Sequence, residues 1–354
     1  MGKSKGKIIM NVLINVQPLS SGHAVRGVGM YTRFLSESLE KQPDIKLYRS
    51  SLTSRPRKMD IIHYPFFDLF TATLPLIKLI KTVVTIHDVI PLLFPKHYPV
   101  GKRGRAALTH QKLSLKNVAA IITDSVSSQQ DIVKYLRVPA KKIFVVPLAA
   151  NPFLQPLKEP KLKTMKRKLK LPDKYLLYVG DINYNKNLPQ LIKALKYLPN
   201  EIKLVCVGKH FIEQEIPEWQ AISAQIALSD VAKRIIFMPG ILSDNYDSLS
   251  ALYSGAAVYV QPSLYEGFGL PILEAMRCKT PVVAANNSSL LEVGGEAALF
   301  TEAVAEELAE GVEMILNLSV SRRAAFVKKA LTWERQFTWE HTARETIAVY
   351  QRAR

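Results

Sequence analysis

The amino-acid sequence predicts an α/β protein of two doubly wound domains with mainly parallel strands, and three observations carry that reading. Short apolar runs of strand length alternate with amphipathic stretches of helix length along most of the chain. The alternation breaks at residues 151–173, where four prolines and a lysine cluster interrupt it, and then restarts. At 354 residues the chain is also long for one hydrophobic core and comfortable for two.

In the first half, residues 8–16 (IIMNVLINV) read as a strand. A polar, glycine-containing loop follows, then a helix over 29–41 that sets Phe34, Leu35, Ser38 and Leu39 on one face. Further strands are expected at 60–64, 82–88, 119–125 and 143–149, with the short helix DIVKYLRV between the last two. Residues 151–173 read as an irregular linker and a short basic helix that stops before Pro172. Beyond it, KYLLYVGD, KLVCVG, RIIFMPG, AVYVQPS and TPVVAAN read as strands. Between them lie the helical stretches NLPQLIKALKYL, 213–230, DNYDSLSALYSG and LPILEAMRC. Two more, 303–317 and 321–353, complete the chain, the second broken near Phe337. The expected domains are therefore 1–157 and 158–337, with a last helix, 338–354, packing back on the first. No repeat of about 20–50 residues is visible, which argues against solenoids and propellers. In such sheets ligands gather at the C-terminal ends of the strands, here in a cleft between the domains.

A content of 48% hydrophobic and 22% charged residues is ordinary for a globular protein and argues against disorder. Two scattered cysteines, Cys206 and Cys278, make no disulfide framework and suit a reducing, cytoplasmic compartment. The start MGKSKGKIIMNVLINV imitates a signal peptide, but its apolar run is short and contains Asn11 and Asn15, so a first strand is the better reading. Gly6 stands where a myristoylation signal has Ser or Thr. The most apolar window, 61–80, carries His63, Asp68, Lys78 and two prolines, too much for a transmembrane helix.

Net charge is +18 and unevenly placed: residues 1–170 hold about 30 Lys and Arg against about 9 Asp and Glu. A basic half suits an anionic substrate or an anionic membrane surface, or is a solvated face. Nucleic acid is not an expected partner, because no recognised binding module accompanies the charge.

The chemistry concentrates in SLYEGFGLPILEAMRCKTPVVAAN. After an apolar strand come Glu266, the turn Gly267-Phe268-Gly269, and a helix begun by Leu270-Pro271, where proline's missing N–H would have had no partner. Glu274 is expected in that helix's first turn, leaning back toward its start. Two carboxylates then flank a helix N-terminus whose amides and dipole favour an anion, and the glycines let backbone approach a ligand. By composition alone the alternative reading is a tight strand–helix turn with two solvated glutamates.

That stretch resembles the Glu-x7-Glu motif of glycosyltransferase family 4, whose members have the GT-B fold of two Rossmann-like domains facing across a cleft. Residues 178–195 (YVGDINYNKNLPQLIKAL) resemble the family's strand–loop–helix with a phosphate-binding lysine, and TIHDVIPLLFP (85–95) is similar to its histidine loop. RGVGMYTRFL, TDSVSSQQDI and VVPLAANPF resemble its glycine loop, its next strand–helix corner and its pre-linker strand. The likeness covers most of residues 8–300 in the family's order.

The resemblance implies a catalytic set of His87, Glu266 and Lys186. Glu266 would contact the donor sugar, Lys186 would pair with the diphosphate, and His87 would sit beside the transferred sugar. Glu274 would hold the nucleotide ribose, while Phe268, Gly269 and Leu270 would offer backbone amides to sugar and diphosphate. Gly27 and Gly29 would bring the N-terminal loop near the donor phosphate, and Asn185 would lie in the donor site. Asp88 is expected to orient its loop. One departure stands out: where many members place a basic residue after the glycine of YVG, or Arg before the lysine, this chain has Asp181 and Asn185.

The reaction so implied is a retaining transfer of a hexose from a GDP- or UDP-linked donor, mannose slightly favoured, to a hydroxyl of a glycan or lipid-linked acceptor. The acceptor attacks from the leaving-group face and the departing diphosphate accepts its proton, so orientation and charge stabilisation matter more than a strong base. No cofactor and no metal are expected, for no Asp-x-Asp signature is present. A non-catalytic sugar-nucleotide binder, motivated by Asp181 and Asn185, and another GT-B enzyme such as an epimerase are the alternatives.

Overall fold

The structure is a computed structural model and describes residues 9–20, 27–51, 58–241 and 244–354. The chain forms two compact units, Met1–Leu148 with Thr338–Arg354, and Ala149–Phe337.

The first unit is a six-stranded parallel sheet. In chain order it comprises β1 (Met10–Asn15), α1 (Gly27–Glu40), β2 (Ile45–Ser50), β3 (Ile61–Tyr64), β4 (Lys81–Thr85), the short α2 (Ile90–Leu93), α3 (Lys102–Leu115), β5 (Ala120–Thr123), α4 (Val126–Asp131) and β6 (Ile143–Val145). The strands lie in the order β2-β1-β3-β4-β5-β6. Val12, Ile14, Ile61, Val83, Val84, Ile121 and Ile122 are fully buried, as continuous apolar runs require in a sheet covered on both faces. Tyr31, Phe34, Leu35 and Leu39 bury one face of α1, and the C-terminal helix Trp339–Ala353 packs on the same unit through Trp339, Ile347 and Tyr350.

The second unit repeats the plan. It contains α5 (Lys161–Lys168), β7 (Tyr175–Val179), α6 (Leu188–Ala194), β8 (Lys203–Val207), α7 (Pro217–Ser229), β9 (Ile235–Met238), α8 (Tyr246–Gly255), β10 (Val258–Gln261), α9 (Leu270–Arg277), β11 (Val282–Ala285), α10 (Ser288–Gly294), β12 (Leu299–Thr301), α11 (Ala305–Leu316) and α12 (Val320–Glu334). Its parallel strands run β12-β11-β10-β7-β8-β9, the dinucleotide-fold order with the reversal between β7 and β10.

Several features differ from the sequence reading. Residues 149–157, assigned above to the first domain, belong to the second: the amides of Gln155 and Leu157 donate to Ser250 Oγ at 3.3 Å and Ser254 Oγ at 3.0 Å on α8. The prolines there make the segment irregular without detaching it. The helix expected at 131–138 starts earlier, capped by Ser125, whose hydroxyl accepts from Ser128 N at 3.0 Å, and its last turn, Ile132–Leu136, widens to a π-turn before Arg137 turns left-handed. Edge strands β2 and β12, and helices α3 and α10, were not anticipated.

Candidate functional site

In the second unit the connections leave β7 and β10 in opposite directions, which opens a crevice at the carboxyl ends of these two neighbours. Both candidate charges lie there. The loop after β7 makes a tight turn over Tyr184–Lys186 and reverses at Asn187, a left-handed residue with φ 57°. Asn187 is held there because its amide donates to the carbonyls of Pro262 at 2.9 Å and Ala303 at 2.8 Å. Lys186 is thereby aimed at Glu266, and its Nζ lies 2.8 Å from both carboxylate oxygens.

Glu266 is buried and densely served. Its Oε1 also accepts from Gln261 Nε2 at 2.8 Å and Ser263 Oγ at 2.6 Å, and Tyr259 in turn bonds to Gln261 Oε1. Its backbone is fixed as well: its N–H donates to Ser288 Oγ at 3.0 Å and its carbonyl accepts from Ser289 Oγ at 2.9 Å. A buried carboxylate with this many donors has one orientation. Asn185 is buried and serves the same loop: Nδ2 donates to Tyr265 O at 2.9 Å and its carbonyl accepts from Leu264 N at 2.8 Å. Asp181 is paired with His210 Nδ1 at 2.6 Å, so the acidic residue in the diphosphate-loop position has its own hydrogen-bond partner, from the loop after β8.

The turn into α9 carries Phe268, buried beside Phe337, and Gly269 at φ +102°. That conformation suits glycine, and a Cβ there would also come within 2.9 Å of Leu290 Cδ2. Leu270 and Pro271 are the first residues of the helix. Glu274 is its fifth residue, one step past the first turn, which corrects the position read from sequence. The helix starts at Leu270 as read from sequence, and a first turn of four residues ends at Leu273. Glu274 Oε2 accepts from Tyr253 OH at 2.8 Å. Burial pushes its carboxyl pKa upward, against the opposing pull of the Tyr253 hydroxyl, of Arg277 and of the Asn151 backbone.

The first unit holds the remaining candidates. His87 follows β4, with Nδ1 2.7 Å from Asp124 Oδ2 on the corner after β5. Its Nε2 is buried with no hydrogen-bond partner among the described residues, and the same is true of Asp124 Oδ1. Tyr31 meets the His87 ring edge-on at 4.7 Å, and Ser128 Oγ donates to its carbonyl at 2.9 Å. Burial alone would lower the imidazole pKa, but the charge and hydrogen bond of Asp124 outweigh it, helped by Asp88 and the Pro65 carbonyl, so it lies above 6.5. Asp88 Oδ1 accepts from Ile90 N at 3.0 Å and braces the loop. Beneath lies a buried chain in which Tyr31 OH bonds Thr85 Oγ1 at 2.9 Å, Thr85 bonds His63 Nε2 at 2.8 Å, and His63 Nδ1 bonds Tyr350 OH at 2.7 Å.

Gly27 is the exposed first residue of α1, and among the described residues nothing lies within 4 Å of a Cβ built there, so packing does not demand glycine. Gly29 is buried within the same helix. Residues 21–26 of the expected glycine loop lie outside the described residues. Sequence reading missed Asp124, Gln261 and Ser263 as partners of candidate residues. For the last two a signal existed, two polar residues in alternation closing the apolar strand AVYVQPS. Among the described residues no group of three or more His, Cys, Asp or Glu is placed to hold a metal ion.

Comparison with known proteins accounts for both units. One family model, Glycosyltransferase Family 4, matches residues 18–152, and another, Glycosyl transferases group 1, matches residues 161–333. The chain is 30% identical over 285 residues to the O-antigen chain mannosyltransferase B of Escherichia coli, a match covering 77% of this chain and 71% of that protein. It is also 30% identical over 280 residues to the serotype-specific mannosyltransferase WbdA of Escherichia coli, but spans only 33% of WbdA's length. Among solved structures, HepE of Anabaena in complex with UDP-glucose superposes with a TM-score of 0.70 at 17% identity, over 96% of this chain and 99% of that one, a likeness of fold alone. The chain therefore belongs to glycosyltransferase family 4 and is a glycosyltransferase of the GT-B fold.

Proposed function

We propose that the protein is a retaining hexosyltransferase that moves mannose from a nucleotide-diphosphate sugar to a hydroxyl of a growing bacterial-type surface polysaccharide or its lipid-linked precursor. The observation that carries this reading is the pairing of Lys186 with Glu266 at the reversal point of the second sheet, beside the turn into α9. A diphosphate arriving there draws the Lys186 ammonium to itself, which frees the Glu266 carboxylate, still held by Gln261 and Ser263, for the hydroxyls of the sugar. Amides of Phe268, Gly269 and Leu270 and the dipole of α9 add positive potential at the same point. Lys186 then stabilises charge growing on the leaving group, while the acceptor hydroxyl attacks on the leaving-group face and gives its proton to the departing phosphate. His87 positions the transferred sugar, Gly27 and Gly29 line the phosphate, Glu274 takes the ribose, and Asn185 shapes the donor loop.

Mannose is preferred because the two relatives described above are mannosyltransferases by name, and a nucleotide-sugar donor is supported by HepE, whose structure contains UDP-glucose. Either GDP or UDP serves as the carrier in this reading, with no cofactor and no metal. The enzyme works in the cytoplasm, peripherally on an anionic membrane surface. A thermal-shift screen against GDP-, UDP- and ADP-sugars, followed by transfer assays with the stabilising donor, tests it. A donor that raises Tm and is turned over by the wild type supports the reading; stabilisation by none of the three classes overturns it.

A further inference from the structure

Residues 65–80, which join β3 to β4, are built as a rigid protrusion against α3. Leu74 is buried, its N–H donates to Gln111 Oε1 at 3.3 Å, and its carbonyl accepts from Ser114 Oγ at 3.1 Å. Gln111 Nε2 also donates to Asp68 O at 2.6 Å and Thr73 Oγ1 at 2.8 Å, and Lys78 Nζ ties Pro75 O at 2.7 Å to Ser114 O at 2.6 Å. Gln111 and Ser114 are fully buried, so the loop is stapled to the helix from end to end.

What this scaffold displays is apolar. Ile77 is 79% exposed and Leu79 73%, with Leu76 and Leu113 also exposed beside them. Three large aliphatic side chains held in water on one short, braced loop are an unusual feature for a surface meant only for solvent. The charge along this part of the chain is mostly basic: the loop holds Lys78 and one acid, Asp68, whose Oδ1 is taken by Phe70 N at 2.7 Å. Residues 89–123 carry six Lys and Arg and no Asp or Glu. Lys102, Arg103 and Arg105 open α3, where no acidic residue offsets them, so they sit against the positive end of the helix dipole and weaken the helix they begin. Lys116, at the other end, is exposed next to Ser114 and the loop it holds.

We propose that this face docks on an anionic lipid bilayer, with Leu76, Ile77 and Leu79 entering the headgroup boundary and the cations of α3 lying on the lipid phosphates. It gives the membrane association proposed above a specific surface, and vesicle binding is measured without turnover, so its failure leaves the transferase reading standing. The full chain is floated with phosphatidylcholine vesicles with and without phosphatidylglycerol, at low and high salt. The expected result is recovery with the anionic vesicles only, reduced by salt. Ile77→Ser with Leu79→Ser, and separately Lys102→Ser with Arg103→Ser and Arg105→Ser, each lower the bound fraction about tenfold or more. Leu228→Ser, removing a side chain 76% exposed on the second unit, changes nothing. Ile77→Trp adds a reporter whose emission shifts to the blue on anionic vesicles alone. Equal recovery with both vesicle types, or full binding by either multiple variant, overturns the proposal. So does a wild-type dimer in light scattering that the Ile77 and Leu79 changes dissolve, because the face then belongs to a second copy.

Discussion

Glu266 Oε1 accepts from Lys186, Gln261 and Ser263 at once, and that crowding has consequences for single substitutions. Glu266→Ala leaves a half-buried ammonium and two buried donors without their acceptor. Transfer is expected to fall by about 10²–10³-fold, the range for removal of one preorganised electrostatic contact. His87 offers a second handle. Its proton is bound more tightly in the folded chain than at the unfolded value of 6.5, so the titration of His87 contributes stability that is fully present just below pH 6.5 and is lost as pH rises through the folded pKa. In Asp124→Asn the carboxylate that raises the imidazole pKa is gone. An NMR titration of His87 should therefore show its midpoint move down in the variant, and an unchanged midpoint contradicts the assignment. The titratable groups facing the ring are Asp124, Asp88, His63 and Tyr31. The motif residues were legible in sequence because each belongs to a local strand–turn–helix pattern. Asp124 was not legible as a partner of His87, since the two lie 37 positions apart and only the pairing of β4 with β5 joins them.

At the scale of elements, the turn into α9 and the C-terminal helix bear the most weight. Gly269→Ala must adopt φ near +102° and push aside Leu290, which is expected to destabilise the protein by about 1–3 kcal/mol and to weaken donor binding. Urea melts and donor titration check both effects. The C-terminal helix is fastened by Tyr350 to His63, whose pKa is pushed down to about 3 by burial and by the charge of His87. A buried base with a depressed pKa is neutral in the fold and charged in the unfolded chain between pH 6.5 and about 3. Its contribution to stability is thus lost as pH falls through that window, and His63→Gln should flatten the decline of the urea midpoint between neutral and mildly acid pH. The strands with continuous apolar runs were readable for the reason that buried parallel strands lack alternation. Ile45–Ser50 was not, because a half-exposed edge strand carrying Lys46 and Arg49 resembles a loop. Helix α3 escaped notice because its basic start gives it no clear apolar stripe, and its buried contacts are the polar Gln111 and Ser114.

For the whole molecule, the two sheets explain why one chain can carry separate tasks. Residues 338–354 complete the first unit although 189 residues of the second unit, Ala149–Phe337, precede them. Deleting them should raise hydrogen exchange in β4 and β5, beneath Trp339 and Tyr350, while β7 and β10 stay protected. Two Rossmann-like halves were visible in the sequence as two runs of alternation, but the position of their junction was not. The prolines at 152 and 156 mark irregular backbone and say nothing about which unit it packs on. The most direct measurement of the central claim, that a nucleotide sugar is held and activated between Lys186 and the turn into α9, is donor turnover by wild type and Glu266→Ala, with donor binding by Lys186→Ala measured alongside. The account predicts turnover at least about a hundredfold lower in the first variant and weakened binding in the second. Equal turnover and equal binding in all three proteins contradict it.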